Sequence, residues 1–328
     1  MDAPRYPLGH TGITLTPIGL GCWQFSGGKG LAGSYWAGIE QARVNEIVQA
    51  AIDGGISWFD TAEAYGKGRS EDALSVALQA AGISPESQDV LLATKWMPVL
   101  RFAGSIRRTF PDRAEHLSPY PVTLHQIHNP FSFSRIERQI DEMAKLADEG
   151  RIQAVGVSNF SADSTERAHE ALARRGLTLA SNQVKYSLLD RRVEHGGVIE
   201  RARELGITII AYSPLEQGIL TGKFHRDPQA RERISGFRRF LKAFKPQGLE
   251  QTEALVRTLE MVAGRHDATA AQVALAWTTQ IHGETVVAIP GASSESQATG
   301  NAGSMSLRLT PDDLDELDRS SRSVASST

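Results

Sequence analysis

Short apolar runs alternate with longer stretches of helical period along the whole chain. Eight of these runs have the length of a buried strand, and they cover residues 16–21, 56–60, 90–96, 122–128, 152–158, 179–184, 207–213 and 285–290. Strands that are apolar on both faces and alternate with helices predict a parallel sheet that is covered on both sides. Eight such units in one chain predict a closed (β/α)8 barrel, a TIM barrel.

The segments between these runs place apolar residues three and four positions apart, which is the spacing of one helix face. In 41–55, Val44, Ile47 and Val48 share a face, and a Gly-Gly pair ends the pattern. Similar patterns predict helices at 70–82, 134–150, 161–176, 194–206 and 252–266. Ser70 is the predicted N-cap of the first of these.

An open, doubly wound sheet is the alternative architecture. It is disfavoured because no G-x-G-x-x-G follows the first strand and because no change in composition marks a second domain. The sequence therefore predicts a single domain over 1–328, with a core at about 6–320 and a flexible tail at 321–328. A long basic loop at 214–250 and the helix at 252–266 are expected outside the plain repeat.

Composition narrows the class of protein. The 328 residues are 41% hydrophobic and 22% charged, as in soluble globular proteins. A net charge of −3 gives no case for nucleic-acid binding, and scattered charges without an interface patch favour a monomer. The single Cys22 excludes an internal disulfide framework and a cysteine-based metal cluster, and no metal site is predicted. Without a signal-like or membrane-spanning apolar stretch, the protein is predicted to be cytoplasmic, with no membrane contact.

Polar residues stand where the predicted strands end. In a (β/α)8 barrel these ends open onto one face, and active sites lie there. In chain order the residues are Asp60, Lys95, His128, Ser158, Asn159, Gln183, Tyr212 and Ser213, with Tyr65 on the loop after the second strand. Taken singly, each has an ordinary structural role, such as a helix cap for Asp60 or a core hydrogen bond for His128. Four ionisable side chains at one barrel mouth favour a catalytic site instead.

Proton transfer is the chemistry that Asp60, Tyr65, Lys95 and His128 support. A phenol with a pKa near ~10 is a weak acid at neutral pH, and a neighbouring Lys95 ammonium would lower that pKa. Asp60 would balance the charge of Lys95, and His128 would orient a substrate oxygen or assist the proton transfer. Delivery of a proton to a forming oxyanion suits carbonyl reduction, for which a cofactor has to supply the hydride.

Three segments, "FDTAEAYG" (59–66), "ATKW" (93–96) and "LHQIHNP" (124–130), resemble the active-site signatures of the aldo-keto reductase superfamily, in the same order. Further matching segments extend the resemblance from about residue 6 to about residue 320. The "IPGAS" form resembles the branch of potassium-channel β subunits and many bacterial reductases. The resemblance implies a barrel that binds NAD(P)H without a Rossmann domain, with Tyr65 as the general acid.

The resemblance also implies the binding residues. Those expected to hold the nicotinamide, phosphate and adenosine parts of the cofactor are Asp60, Ser158, Asn159, Gln183, Tyr212, Ser213, Pro214, Leu215, Lys223, Ser293, Gln297 and Asn301. Among them, Tyr212 would stack on the nicotinamide ring. Those expected to line the substrate pocket are Trp23, Tyr65, Trp96, His128 and Asn129.

Three positions depart from the family pattern. Gly291 stands where many members carry a lysine for the 2′-phosphate, Gly300 replaces an acid near adenine, and Asn129 replaces a tryptophan beside His128. NADPH is still predicted over NADH, with Lys223 and nearby arginines supplying positive charge. The predicted function is NADPH-dependent reduction of a small-molecule aldehyde or ketone. A cofactor-binding sensor or regulatory subunit with slow turnover, and a Schiff-base aldolase using Lys95, are the alternatives.

Overall fold

The computed structural model describes residues 3–28, 38–87, 89–232, 234 and 240–325. Its strands, in chain order, are β1 Tyr6–Pro7, β2 Thr14–Leu15, β3 Leu20–Gly21, β4 Trp58–Asp60, β5 Leu91–Trp96, β6 Leu124–Ile127, β7 Ala154–Ser158, β8 Leu179–Lys185, β9 Thr208–Tyr212 and β10 Val286–Ile289. Its α-helices are α1 Gln41–Asp53, α2 Arg69–Ala80, α3 Ser105–His116, α4 Ile136–Asp148, α5 Ala162–Ala173, α6 Arg192–His195, α7 Val198–Leu205, α8 Lys223–Arg226, α9 Pro228–Glu232, α10 Pro246–Arg265, α11 Ala270–Gln280, α12 Glu295–Gly303 and α13 Pro311–Ala325.

Strands β3 to β10 form one parallel sheet in which each strand pairs with the next in the chain. The last strand returns to the segment around the first, because Gly19 N–H donates to the Ala288 carbonyl (2.9 Å) and Gly21 N–H donates to that of Pro290 (3.1 Å). A parallel bridge joins Ile18 to Ala288 as well. The eight strands therefore form a nearly closed barrel surrounded by helices, and the predicted (β/α)8 fold is confirmed.

A β-hairpin of β1 and β2, which the sequence pattern did not reveal, covers the amino ends of the strands. Thr208, the first residue of β9, donates its hydroxyl to the Pro7 carbonyl (2.8 Å) and accepts the Gly9 N–H (2.8 Å). Leu8 and Leu15 of the hairpin belong to the buried cluster inside the barrel. Two-residue strands are too short to show an alternating pattern. The hairpin closes the end of the barrel opposite the polar strand ends.

The packing of the barrel interior explains why residue 19 is a glycine. Trp58, the first residue of β4, points into the barrel and is 1% exposed, and its indole N–H donates to the Thr16 carbonyl (2.9 Å). A Cβ at Gly19 would lie 2.3 Å from the Trp58 ring. The residue at position 19 must therefore lack a side chain if the tryptophan is to fill the interior.

Two helices differ from the prediction. Helix α2 begins at Arg69 after Gly68, whose φ is +90°. Ser70 is therefore inside the helix rather than its N-cap, and its hydroxyl donates to the Cys22 carbonyl (2.7 Å). Helix α3 was not predicted, since Pro111 and several arginines interrupt the apolar spacing of that segment. None of the helices in the described part of the chain is long and apolar enough to cross a membrane.

The segment expected to be a long loop is largely helical where the structure describes it. It contains a 3-10 helix at Glu216–Thr221, helices α8 and α9, and a second 3-10 helix at Lys242–Phe244. Helix α10 then begins at Pro246 rather than at residue 252. Residues 233 and 235–239 of this predicted loop lie outside the described residues.

The carboxyl-terminal helix also corrects the sequence prediction. Helix α13 extends to Ala325, so the flexible tail predicted from residue 321 is wrong for 321–325. Leu317, Ser321 and Val324 lie on one helix face and are buried, and the Ser321 hydroxyl donates to the Leu188 carbonyl (2.6 Å). Because this segment is rich in serine, the sequence pattern did not show that one face of the helix is buried. Residues 326–328 of the predicted tail lie outside the described residues.

Candidate active site

A cavity of about 1110 Å³ opens where the strands of the barrel end. Most of the residues proposed from the sequence line it, namely Trp23, Asp60, Tyr65, His128, Ser158, Asn159, Gln183, Tyr212, Ser213, Pro214, Leu215, Lys223, Ser293, Gln297 and Asn301. Lys95 lies beneath this wall and is 0% exposed. The cavity runs without interruption from the ends of the central strands to helix α12.

Neither Trp96 nor Asn129, both predicted for the substrate pocket, is among the described residues that line the cavity, and Trp96 is a correction to that prediction. Successive side chains of a strand point to opposite faces, so Trp96 faces the helices when Lys95 faces the barrel interior. The Trp96 indole N–H donates to Ser105 Oγ on α3 (3.1 Å). The Asn129 side-chain amide faces the sulfur of Met97 (3.5 Å). Met97, which the sequence reasoning missed, lines the cavity instead.

Lys95 is the centre of the buried polar group. Its Nζ forms an ion pair with Asp60 Oδ1, donates to the Thr61 carbonyl (2.8 Å) and lies 3.4 Å from Tyr65 Oη. Asp60 and Lys95 end or nearly end the neighbouring strands β4 and β5, and this brings the two side chains together. Burial acts to lower the pKa of Lys95, but Asp60 and Tyr65 raise it above its usual value. The ammonium is therefore charged at neutral pH.

The second oxygen of Asp60 is held by two amides. Gln183 Nε2 donates to Asp60 Oδ2 (2.8 Å), and Gln126 Nε2 donates to the same oxygen (3.1 Å). Gln126 was missed in the sequence, although it stands two residues before His128 on β6 and so points to the same face of the strand. Both oxygens of this buried carboxylate are thus paired, which is the condition for keeping a charge away from water.

The phenol of Tyr65 is protonated at neutral pH. Burial is the largest influence on the pKa of Tyr65 and raises it, whereas Lys95 lowers it and Asp60 raises it. The expected direction of the Lys95 effect is therefore present, but the net shift of the pKa is upward. Trp23 stacks against the phenol ring with centroids 6.0 Å apart and an interplanar angle of 25°. A protonated phenol fixed between an indole and an ammonium can act as a proton donor.

His128 is neutral in this site. Burial and the charge of Lys95 lower the pKa of His128 to about 3. The ring meets that of Tyr65 edge-on, with centroids 5.7 Å apart. Its Nδ1 has no hydrogen-bond partner among the described residues. A neutral imidazole carries one N–H donor and one acceptor, so His128 can donate a hydrogen bond to a ligand oxygen in the cavity.

Hydrogen bonds connect the side chains of Ser158, which ends β7, Asn159, which follows it, and Tyr212, which ends β9. Asn159 Nδ2 donates to Ser158 Oγ (3.0 Å) and to the His128 carbonyl (3.2 Å). The Tyr212 hydroxyl donates to Asn159 Oδ1 (3.0 Å). Asn159 has a φ of +61°, a conformation that asparagine tolerates better than most residues. These contacts fix the direction of the Asn159 amide and the position of the Tyr212 ring at the cavity wall.

The segment after β9 turns sharply over the cavity. Ser213, Glu216 and Gln217 have φ values of +53°, +44° and +56°, which are costly for residues other than glycine. The Glu216 carboxylate is held by Lys185 Nζ (2.9 Å) and by the Ser187 hydroxyl (3.0 Å), both beyond or at the end of β8. The strained turn is therefore anchored by an ion pair that sequence reasoning did not predict.

At the far end of the cavity, the residues after β10 hold one another. Ser293 N–H and Oγ donate to Gln297 Oε1 (2.8 and 3.1 Å), and Asn301 Nδ2 donates to the Gly291 carbonyl (3.4 Å). Ser294 is the N-cap of α12, where its side chain accepts the Gln297 N–H. The polar groups predicted for an adenosine phosphate are therefore brought together in one place.

Arg43 brings a positive charge to the Ser293 end of the cavity, where Gly291 leaves no room for a lysine. A Cβ at Gly291 would lie 2.0 Å from Gln24 Nε2, so the amide of Gln24 occupies the space that a lysine side chain would need. Arg43, in the first turn of α1, donates its Nε–H to the Ser293 carbonyl (2.9 Å). Sequence reasoning did not single out Arg43, which stands far from Ser293 in the chain. Its guanidinium lies beside the segment that carries Ser293 and Gln297.

The residues present fit a nicotinamide dinucleotide. Asn159, whose amide contacts the His128 carbonyl, and the Tyr212 ring line the same cavity as Lys223 and the Ser293 segment. An elongated ligand with a polar aromatic ring at one end and phosphates at the other matches this distribution.

Comparison with known proteins gives the family. The model of the aldo/keto reductase family matches residues 17–322. An uncharacterised oxidoreductase of Mycobacterium tuberculosis is 36% identical over 308 residues, covering 94% of this chain and 90% of the relative. The glycerol dehydrogenase of Gluconobacter oxydans has a similar structure, with a TM-score of 0.80, 26% identity, and coverage of 97% of this chain and 94% of that one. The chain therefore belongs to the aldo/keto reductase family of NAD(P)H-dependent oxidoreductases.

Proposed function

We propose that the protein is an NADPH-dependent reductase that converts an aldehyde or a ketone to an alcohol. The observation that carries the proposal is the buried Lys95–Asp60 ion pair beneath the hydroxyl of Tyr65, beside the neutral ring of His128. When bound, the cofactor supplies the hydride that reaches the carbonyl carbon. The side chains of the protein handle the oxygen atom of the substrate.

Tyr65 gives its proton to the substrate oxygen as negative charge forms there. The charge that this leaves on the phenol is stabilised by the Lys95 ammonium, 3.4 Å from Tyr65 Oη. Asp60 keeps Lys95 charged, and His128 donates a hydrogen bond that orients the carbonyl oxygen. Trp23 packs against the phenol and restricts its movement.

The cofactor would be held along the cavity. Ser158, Asn159 and Gln183 would contact the carboxamide, and Tyr212 would stack on the ring. The backbone of Ser213, Pro214 and Leu215, together with Lys223, would meet the phosphates. Ser293, Gln297 and Asn301 would bind the adenosine end. Gln183 Nε2 already donates to Asp60, so Gln183 would also connect the cofactor to the catalytic carboxylate.

The direct test is absorbance at about 340 nm with NADPH and a panel of aliphatic, aromatic and hydroxylated aldehydes and ketones. Carbonyl-dependent loss of NADPH is expected. Tight NADPH binding without turnover of any carbonyl would favour the sensor or regulatory alternative. Covalent trapping on Lys95 by borohydride, with no NADPH binding, would favour an aldolase, although the three contacts of Lys95 Nζ oppose that role.

The neutrality of His128 predicts the pH dependence. Because the pKa of this imidazole is about 3, kcat/KM for carbonyl reduction should show no step near its usual value of about 6.5. The same depressed pKa means that the unfolded chain binds more protons below about pH 6.5, so this group removes stability as pH falls toward 3. A pH–rate profile between about pH 5 and 9 measures the first effect. A step near 6.5 that disappears in His128→Gln would contradict the prediction.

Arg43 is expected to favour NADPH over NADH. Arg43→Ala should weaken NADPH binding about tenfold, the equivalent of one charge-assisted hydrogen bond of about 1.4 kcal/mol, and should leave NADH affinity nearly unchanged. Lys223→Ala should likewise weaken NADPH more than NADH. Quenching of tryptophan fluorescence gives both dissociation constants without turnover.

Arg174→Ala is the matched control, because Arg174 is an exposed arginine just after α5 and is not among the residues that line the cavity. It should leave both affinities unchanged. An equal loss of NADPH and NADH affinity in Arg43→Ala would show that Arg43 does not bind the 2′-phosphate.

A further inference from the structure

Glu63 lies on the loop between Asp60 and Tyr65, and its carboxylate is held from three directions. Oε1 accepts the Met97 N–H and a hydrogen bond from Arg101 Nη1, and Oε2 accepts one from Arg113 Nη1 (2.8 Å). The side chain is 10% exposed. A carboxylate that is this buried and paired with two guanidinium groups is firmly fixed.

The backbone of Glu63 joins the same strand end. Its N–H donates to the Lys95 carbonyl (3.3 Å), while its side chain accepts the N–H of Met97, two residues further along. The loop that carries Tyr65 is therefore fastened to the end of β5 on both sides of Trp96. Met97 in turn lines the cavity.

The two arginines extend the connection to α3. Arg113 is 8% exposed in its side chain and also pairs with Glu71 through Nε (3.0 Å). Glu71 accepts a hydrogen bond from Thr94 Oγ1 on β5 (2.6 Å). Arg101 donates to the Met97 carbonyl (3.1 Å). Two acidic side chains thus share the buried guanidinium of Arg113, and Arg101 is the second cation beside Glu63.

Tyr65 contacts Lys95 from the loop that Glu63 fastens to β5. Lys95 Nζ is fixed by Asp60 and by the Thr61 carbonyl, whereas Tyr65 stands on a loop, and its Oη lies 3.4 Å from Nζ. A small displacement of the loop would change that distance while leaving the Lys95–Asp60 pair intact.

We propose that Glu63 is a positioning residue, which holds the Tyr65 loop against the end of β5 and so sets the separation of the Tyr65 hydroxyl and the Lys95 ammonium. The proposal rests on the proposed function for its effect on turnover, but the geometry that it describes is a property of the protein alone. Glu63 acts through the loop and does not touch the reacting atoms.

The first test compares kinetics of variants. Glu63→Ala should lower kcat on the order of 10²-fold, the effect of misplacing a catalytic group by about 1 Å, with KM and the NADPH dissociation constant nearly unchanged. Glu63→Gln keeps an acceptor for the Met97 N–H and should restore part of kcat. Glu71→Gln is the matched control, since Glu71 is also buried and paired with Arg113 but is not bonded to Met97. It should lower the melting temperature and leave kcat within about twofold.

The second test needs no turnover. Carbon-13 NMR of protein labelled on tyrosine Cζ gives a Tyr65 resonance, assigned by its loss in Tyr65→Phe. This resonance should shift or broaden in Glu63→Ala and stay unchanged in Glu71→Gln. An unchanged resonance together with a kcat close to that of the wild type would overturn the proposal. If the wild type reduces no carbonyl, the proposed function fails, and the resonance still decides the role of Glu63.

Discussion

Replacing Tyr65 by phenylalanine is expected to lower kcat for carbonyl reduction by ~10²–10⁴-fold, the usual contribution of a general acid. The substitution removes only the hydroxyl, which lies 3.4 Å from Lys95 Nζ, and keeps the ring that stacks against Trp23. The protonated state of the phenol, maintained by burial, is the form that donates. Since the ring stays in place, the NADPH dissociation constant should change by less than about twofold. Steady-state kinetics and fluorescence quenching measure the two quantities.

Tyr120→Phe is the control for this variant. Tyr120 is also buried, and its hydroxyl donates to the Ile83 carbonyl (2.9 Å), away from the cavity. Its loss should cost stability of about 1 kcal/mol and leave kcat unchanged. Equal turnover in Tyr65→Phe and the wild type would exclude Tyr65 as the proton donor.

Replacing Lys95 by methionine should both abolish most turnover and lower the free energy of unfolding by about 3–5 kcal/mol. The stability loss follows because Asp60, 1% exposed, would remain buried with two amides but without a cation. Turnover falls because no positive charge would remain beside the Tyr65 hydroxyl. Urea unfolding and the assay at about 340 nm measure the two effects.

The double variant Lys95→Met/Asp60→Asn separates the loss of turnover from the loss of stability. Removing both charges takes away the unpaired buried carboxylate, so much of the lost stability should return, while turnover should stay low. A double variant whose loss of stability equals the sum of the losses of the two single variants would show that the two charges do not interact.

The features that the sequence predicted correctly depend on residues that are close together in the chain. The eight strand-like runs and the glycine that ends each of several helices depend on local periodicity and turn preference. Each of the eight runs overlaps a strand of the barrel. Asp60, Tyr65, Lys95 and His128 were found because strand ends meet at one face of a parallel barrel. Lys95 and Asp60 are indeed paired.

The errors have identifiable physical causes. Trp96 was placed in the pocket although strand alternation turns it away from Lys95, and its indole contacts Ser105 on a helix that the sequence did not reveal. The tail from residue 321 was taken as flexible because serines were counted as polar. In the folded chain, Ser321 is buried, and its hydroxyl is satisfied by the carbonyl of Leu188.

The sequence by itself determined the order and type of the barrel elements and the identity of the four ionisable side chains at its mouth. Only the tertiary structure decided their chemical state. The pKa of Tyr65 is raised, chiefly by burial, despite the neighbouring Lys95, and burial and Lys95 together lower that of His128. The tertiary structure alone also brought Arg43 to Ser293 and Arg113 to Glu63. The reason is that periodicity is a property of neighbouring residues, whereas desolvation and ion pairing depend on groups that are distant in the chain and meet only in the folded barrel.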